Sequence, residues 1–287
     1  YTRIRDLSFQ DYSRRKTFRT LFRLYRTRPY SDQELILVFD TGEVRCSTNS
    51  SGAFYVKEMS DLSGGILISV RLPGGEEVRV IEGLYPQTVH QIVSDTIVVS
   101  DIDDTLMHSF IYKKLRKLRT LMFTTMEKRK AVVNMQELIR NFTEKGSSPV
   151  YLSNSEQNLY PMIYRFLFHN KFPQGPLFLK QLRSLWDVIL NIKFPLQNSH
   201  KIRTLEDLFE FFPDKRFVLM GDNTQHDLAI YLTLAEKYHR QISLIIIRKV
   251  VEKSGDDELI RDLFLEIFRP EGVSVRAAAS GREALAM

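Results

Sequence analysis

The stretch Thr96-Ile97-Val98-Val99-Ser100-Asp101-Ile102-Asp103-Asp104-Thr105 decides the fold. Its opening run of β-branched and aliphatic residues reads as a strand buried on both faces, and three carboxylates follow at once. Carboxylates crowded at a partly buried site repel one another unless a cation neutralises them. The C-terminal ends of parallel strands are also where α/β sheets bind ligands. An acidic turn or helix cap is the plainer reading, but a cap needs one acidic side chain and not three.

Working outward, three more short apolar runs have strand character: Pro149 to Leu152, Phe217 to Met220 and Ser243 to Ile247. Helix-length sequence separates them, as right-handed crossovers between parallel strands require. Leu205, Leu208, Phe209 and Phe212 give one crossover helix its apolar face, and Pro213 stops it. The expectation is an α/β fold, a three-layer doubly wound parallel sheet.

Two of these strands also end in polar residues. Gly221-Asp222-Asn223-Thr224-Gln225-His226-Asp227 places a second acidic pair directly after a strand, with Asp222 the better ligand candidate. Two carboxylate clusters on separate parallel strands would converge on one Mg2+, which prefers hard oxygen ligands. Val150-Tyr151-Leu152 runs into Ser153-Asn154-Ser155, where a hydroxyl and the following amides could hold phosphate oxygens at a helix start. Ser and Asn are equally good helix caps. Lys201, ahead of the Leu205 helix, is either a solvated lysine or a cation reaching into the site to offset negative charge.

Four segments follow from the rest of the text. Residues 1–30 carry nine Lys/Arg against Asp6 and Asp11, a net +7 that accounts for the overall +6, since the remainder holds 32 basic and 33 acidic residues. Phe18, Leu21, Phe22 and Tyr25 fall at helical spacing there, so a basic amphipathic helix either docks on its own domain or rests on an anionic membrane surface. Nucleic acid is not expected, because the body of the chain is nearly neutral. Residues 31–94 read as a small antiparallel β-sandwich, with strands at Leu35 to Phe39, Ala53 to Val56, Ile66 to Arg71 and Glu77 to Ile81 between Gly-bearing turns. Residues 95–270 form the α/β domain, with a basic helical cap insertion at about 106–146 whose apolar stripe is Leu115, Leu118, Leu121 and Met122. Residues 271–287, rich in small side chains, are expected to be a flexible tail. No apolar run reaches the ~20 residues that span a bilayer, and the single Cys46 cannot form an internal disulfide, which points to a reducing, cytoplasmic setting.

The joint order of DxDxT after a strand, Ser after a strand, Lys before a helix and GDxxxxD after a strand resembles the haloacid dehalogenase superfamily over about Val93 to Val250. More narrowly, SDIDDT, the Ser153 to Pro161 stretch, FPQGPLFL at Phe172 to Leu179 and KIRTLEDLFEFFPDKRFVLMGDNTQHDLAIY resemble the phosphatidate phosphatase catalytic-domain family, whose yeast representative is associated with actin patches. The resemblance implies a magnesium-dependent phosphatase with Asp101 as nucleophile and Asp103 as general acid and then base. It makes Ser153, Asn154 and Lys201 the phosphate binders. It makes Asp101, the Asp103 backbone carbonyl and Asp222 the metal ligands, with Asp227 supporting either the metal, through water, or Lys201. Thr105 is expected to hold its loop through backbone hydrogen bonds. Two departures bear on substrate: Glu156-Gln157 stands where the family pattern has Pro-Trp, and Asn223-Thr224 where it has Ser-Gly. The implied reaction is phosphatidate to diacylglycerol at a membrane periphery. The alternatives are a phosphatase of a soluble sugar, nucleotide or other monoester, and a non-catalytic membrane or cytoskeletal adaptor. The partner of the β-rich domain is not legible.

Overall fold

The computed structural model describes residues 30–50, 52–54, 56, 65–78, 92–107, 131–132, 135–180, 197–223, 226–250 and 274–278. The chain divides into two compact units. The first comprises residues 1–91, 156–165 and 181–192, and the second 92–155, 166–180 and 193–287. The expected basic helix over 1–30, but for Tyr30, and the body of the expected cap lie outside the described residues, as does most of the segment after Pro270.

In the first unit, β1 (Glu34–Phe39), β2 (Gly42–Ser47), β3 (Leu67–Arg71) and β4 (Glu77–Val78) form one antiparallel sheet in the order β2-β1-β3-β4. The expected sandwich is thus a single four-stranded sheet among the described residues. Leu35, Leu37, Val44 and Val70 are its buried apolar residues, while Arg45 pairs with Glu34 and Arg71 with Glu43 at the surface. Of the strand expected at Ala53 to Val56, the described residues Ala53, Phe54 and Val56 belong to no strand. The sheet takes Gly42–Ser47 instead, because the Phe39↔Gly42 register closes a hairpin through Asp40 and Thr41.

The second unit is a six-stranded sheet in the order β10-β9-β8-β5-β6-β7: β5 (Thr96–Asp101), β6 (Ser148–Glu156), β7 (Leu177–Lys180), β8 (Arg216–Asp222), β9 (Ile242–Arg248) and β10 (Ser274–Ala278). All four expected parallel strands are present, and β10 adds a fifth from within the supposed flexible tail. The helices with described ends are α1 (Met135–Glu144), α2 (Tyr160–His169), α3 (Gln197–Phe211) and α4 (Asp227–Tyr238). α1 is the crossover from β5 to β6 and buries Met135, Leu138 and Ile139, so the far end of the expected insertion belongs to the core. Met107 forms an antiparallel bridge with Ala131.

Burial on both faces explains the strands. Ile97, Val99, Val150, Leu152, Phe217, Leu219, Ile245 and Ile247 share one core with Leu205, Phe209 and Tyr231 of the helices. Phe209 meets the Phe217 ring edge-on at 4.7 Å. α3 ends at Phe211, two residues before Pro213, as the sequence requires. At the β7 edge, a Cβ on Gly175 would lie 2.1 Å from the Pro149 carbonyl oxygen, so only glycine permits the close approach. The Tyr151 amide donates to Pro176 O at 2.8 Å and its hydroxyl to Pro173 O at 2.6 Å, which fixes the Pro-Gln-Gly-Pro run beside β6. No helix among the described residues is long and apolar enough to cross a membrane.

The topology locates the site. From β5 the chain moves through β6 to β7 on one side, then returns to β8 and β9 on the other, so the order reverses between β5 and β8. Register sets Asp101 opposite Leu152 and Ser100 opposite Met220. Asp101, Ser153 and Asp222 therefore stand at the C-terminal ends of three adjacent strands.

Candidate active site

Asp101 is the last residue of β5 and is 1% exposed. Neither of its carboxylate oxygens has an aligned hydrogen-bond donor. Lys201 Nζ forms an ion pair with Oδ1 at 2.7 Å and donates a hydrogen bond to Asp227 Oδ1 at 2.5 Å. Lys201 itself is fully buried. It is there because it heads the stripe Lys201, Leu205, Leu208 on α3, so the face that packs on the sheet carries the ammonium inward.

The electrostatics are those of crowded anions. Burial pushes the Asp101 carboxyl well above the usual carboxylate range. Lys201 pulls it back, and Asp227, Asp222 and Asp103 push it up again. Lys201 is depressed by burial, but Asp101 and Asp227 together more than offset this and hold it above the ordinary lysine value. The ammonium is therefore charged.

Asp222 ends β8 and Asp227 opens α4, and one carboxylate oxygen from each of Asp101, Asp222 and Asp227 lies within 4.8 Å of the others. Asp227 Oδ2 also accepts from the Asp222 amide at 3.5 Å. That approach depends on Gly221, where a Cβ would fall 2.7 Å from Asp227 Oδ2 and 2.9 Å from Tyr231 Cε2. The Tyr231 hydroxyl donates to Met220 O at 3.1 Å, and burial and then Asp227, Asp101 and Asp222 raise the phenol well above its ordinary value. Three convergent carboxylates, one with both oxygens lacking aligned donors, fit a hard divalent cation such as magnesium.

Asp103 lies on the other side of Asp101, and its Oδ2 accepts from two hydroxyls: Ser153 Oγ at 2.9 Å and Ser155 Oγ at 3.0 Å. The Ser155 amide donates to Ser153 Oγ at 2.9 Å. Ser153, expected to face phosphate, thus directs its proton to Asp103, and Asn154 sits half-buried beside it. Asp104 holds a left-handed backbone, φ 59°, and its carbonyl accepts from Arg248 Nη1. The Thr105 hydroxyl points to Asp222 Oδ2 at 3.5 Å and not to its own loop backbone. Asn223 Oδ1 accepts from the Val250 amide at 2.8 Å, tying the rim to the end of β9.

Sequence reading anticipated Asp101, Asp103, Ser153, Asn154, Lys201, Asp222 and Asp227; the fold brings the other six together, with Asn154 half-buried beside Ser153. It gave Ser155 and Gly221 no role beyond their motifs, and it missed Tyr231 and Arg248. Ser155 had a signal in the alternation of Ser-Asn-Ser along an extended strand, which puts both hydroxyls on one side. Gly221 stood in the GDxxxxD motif, but its role depends on the approach of α4 to β8, and Arg248 had no signal, since its role depends on a contact with the distant Asp104 carbonyl.

Residues 96–249 match the family of the phosphatidate phosphatase APP1 catalytic domain. Phosphatidate phosphatase APP1 of Saccharomyces cerevisiae is 26% identical over 212 residues, which is 73% of this chain and 35% of that protein. An uncharacterised protein of Schizosaccharomyces pombe is 22% identical over 237 residues, 80% of this chain and 38% of that one. The chain thus spans little more than a third of the length of either curated relative. Among solved structures, a D,D-heptose 1,7-bisphosphate phosphatase from Burkholderia thailandensis aligns at 12% identity and TM-score 0.30, covering 66% of this chain and 95% of that one. The narrower resemblance carried by SDIDDT and the GDNTQHD run is borne out over more than half of the sequence, and the chain belongs to the family of the phosphatidate phosphatase APP1 catalytic domain.

Proposed function

We propose that this chain hydrolyses a phosphate monoester through an aspartyl phosphate on Asp101, with phosphatidate as substrate and diacylglycerol as the organic product. The observation that carries the reading is the fully buried Lys201 between Asp101 and Asp227, with Asp222 alongside. A nucleophile kept charged in a dry pocket needs that cation.

In the first step an Asp101 carboxylate oxygen attacks phosphorus in line. The bond from phosphorus to the ester oxygen breaks, and Asp103 donates a proton to the departing alkoxide. Two hydroxyls already occupy Asp103 Oδ2, so Oδ1 is the oxygen that carries the transferable proton. In the second step Asp103 takes a proton from water, the water oxygen attacks phosphorus, and the bond between phosphorus and Asp101 breaks. Alcohol and inorganic phosphate leave, and the enzyme is restored. Lys201 offsets the charge of the phosphoryl group throughout, and Asn154 borders the phosphate side. Asp101, the Asp103 backbone carbonyl, Asp222 and Asp227 would hold a magnesium ion. When bound it would neutralise phosphate charge and act as a Lewis acid.

Phosphate release from phosphatidate in mixed micelles, with a soluble aryl phosphate as reference and Asp101→Asn as control, tests the reading. Release from phosphatidate that the variant abolishes supports it. Activity on the aryl phosphate alone keeps the phosphatase and removes the lipid, and inactivity on both favours an adaptor.

A further inference from the structure

We propose that Ser155 is a positioning residue that fixes the Asp103 carboxylate for proton transfer. The inference rests on the phosphatase reading and adds a residue to it. A carboxylate rotates in a broad two-fold well, so position alone does not determine which oxygen faces the substrate. Two hydroxyls converging on Oδ2, from Ser153 at 2.9 Å and Ser155 at 3.0 Å, select one orientation and leave Oδ1 as the outward oxygen.

The geometry makes Ser155 more than a spare donor. Ser153 and Ser155 are two apart on β6, so the strand pleat delivers both side chains to one side. The Ser155 amide donates to Ser153 Oγ at 2.9 Å, which orients the Ser153 hydroxyl toward Asp103. The backbone of residue 155 therefore holds one donor while its side chain supplies the other. Ser153 is completely buried and Ser155 only partly, so a change at 155 disturbs the network with little effect on the core.

Steady-state kinetics of wild type, Ser155→Ala and Ser155→Thr on the aryl phosphate, each with a melting curve, test the assignment. Loss of a hydrogen bond to a charged group predicts kcat down about 10- to 100-fold in Ser155→Ala, with KM unchanged. Ser155→Thr keeps the hydroxyl and restores most of kcat. Should the alanine variant melt below assay temperature, Ser155→Cys, similar in size with a weaker donor, is expected to fall between. An unchanged kcat in a folded Ser155→Ala or Ser155→Cys, a loss that appears in KM alone, or failure of threonine to rescue overturns the assignment while leaving the phosphatase intact. Inactivity of wild type on every phosphomonoester overturns the phosphatase reading, and Ser155 with it.

Discussion

Lys201 and Asp227 form a fully buried pair, with Nζ 2.5 Å from Oδ1, and the same ammonium is 2.7 Å from Asp101. One helix thus supplies the only positive charge in direct ion-pair contact with these carboxylates among the described residues. Removing it strands two charges in a dry site. Lys201→Met is expected to lose about 3–5 kcal/mol of stability, as broken buried pairs do, and to lose activity entirely. Denaturant unfolding measures the first effect and phosphate release the second.

Gly221 permits the contact between β8 and α4. A methyl group there meets Asp227 Oδ2 at 2.7 Å and Asp227 Cβ at 2.8 Å, and neither the strand nor the helix can yield easily. Gly221→Ala is expected to displace Asp227, and with it Lys201, lowering kcat about 10²-fold, the scale of ångström misplacement. A variant with wild-type kcat would show that the helix gives way without consequence.

The parts legible in the sequence were those tied to strand ends. Asp101, Ser153 and Asp222 each follow an apolar run, and parallel pairing alone brings such positions together. Lys201 was harder, because a lysine at the head of an apolar helical stripe becomes a site residue only once that face is known to pack on the sheet. Tyr231 and Arg248 depend on register between β8, β9 and α4, which no local pattern encodes. The same reason explains the small sheet. Glu43-Val44-Arg45-Cys46 alternates as a strand should, yet Thr41-Gly42 reads as a turn, and only pairing with Leu35 and Leu37 shows where it ends.

Magnesium should stabilise the folded protein apart from any catalysis. At a hundredfold excess over Kd the gain is about 2.7 kcal/mol, or roughly 5–10 °C in Tm. Asp222→Asn removes one of three convergent carboxylates and is expected to abolish most of that shift. Equal shifts in both proteins would place the ion elsewhere.

His200 gives a pH signature on the acid side. Burial, then Lys180 and Lys201, lower its imidazole from 6.5 to about 4. A depressed folded value means that the neutral form is favoured in the native state, so this contribution to stability is full above pH 6.5 and is lost as pH falls toward 4. Tm measured from pH 7 to 4.5 should therefore fall more steeply in wild type than in His200→Gln. Parallel curves would contradict the assignment.

The most direct test is whether phosphate becomes bonded to Asp101. An aryl phosphate has a leaving group that needs little protonation, so Asp103→Asn should still form the adduct, while losing the base that activates water for its hydrolysis. Acid-quenched Asp103→Asn, digested and mapped by mass spectrometry after exposure to aryl phosphate and magnesium, is predicted to carry one phosphoryl group on Asp101. The adduct should vanish in Asp101→Asn/Asp103→Asn. An active wild type whose Asp103→Asn variant carries the group on another residue, or carries none while releasing the aryl alcohol in a full-stoichiometry burst, would contradict the account.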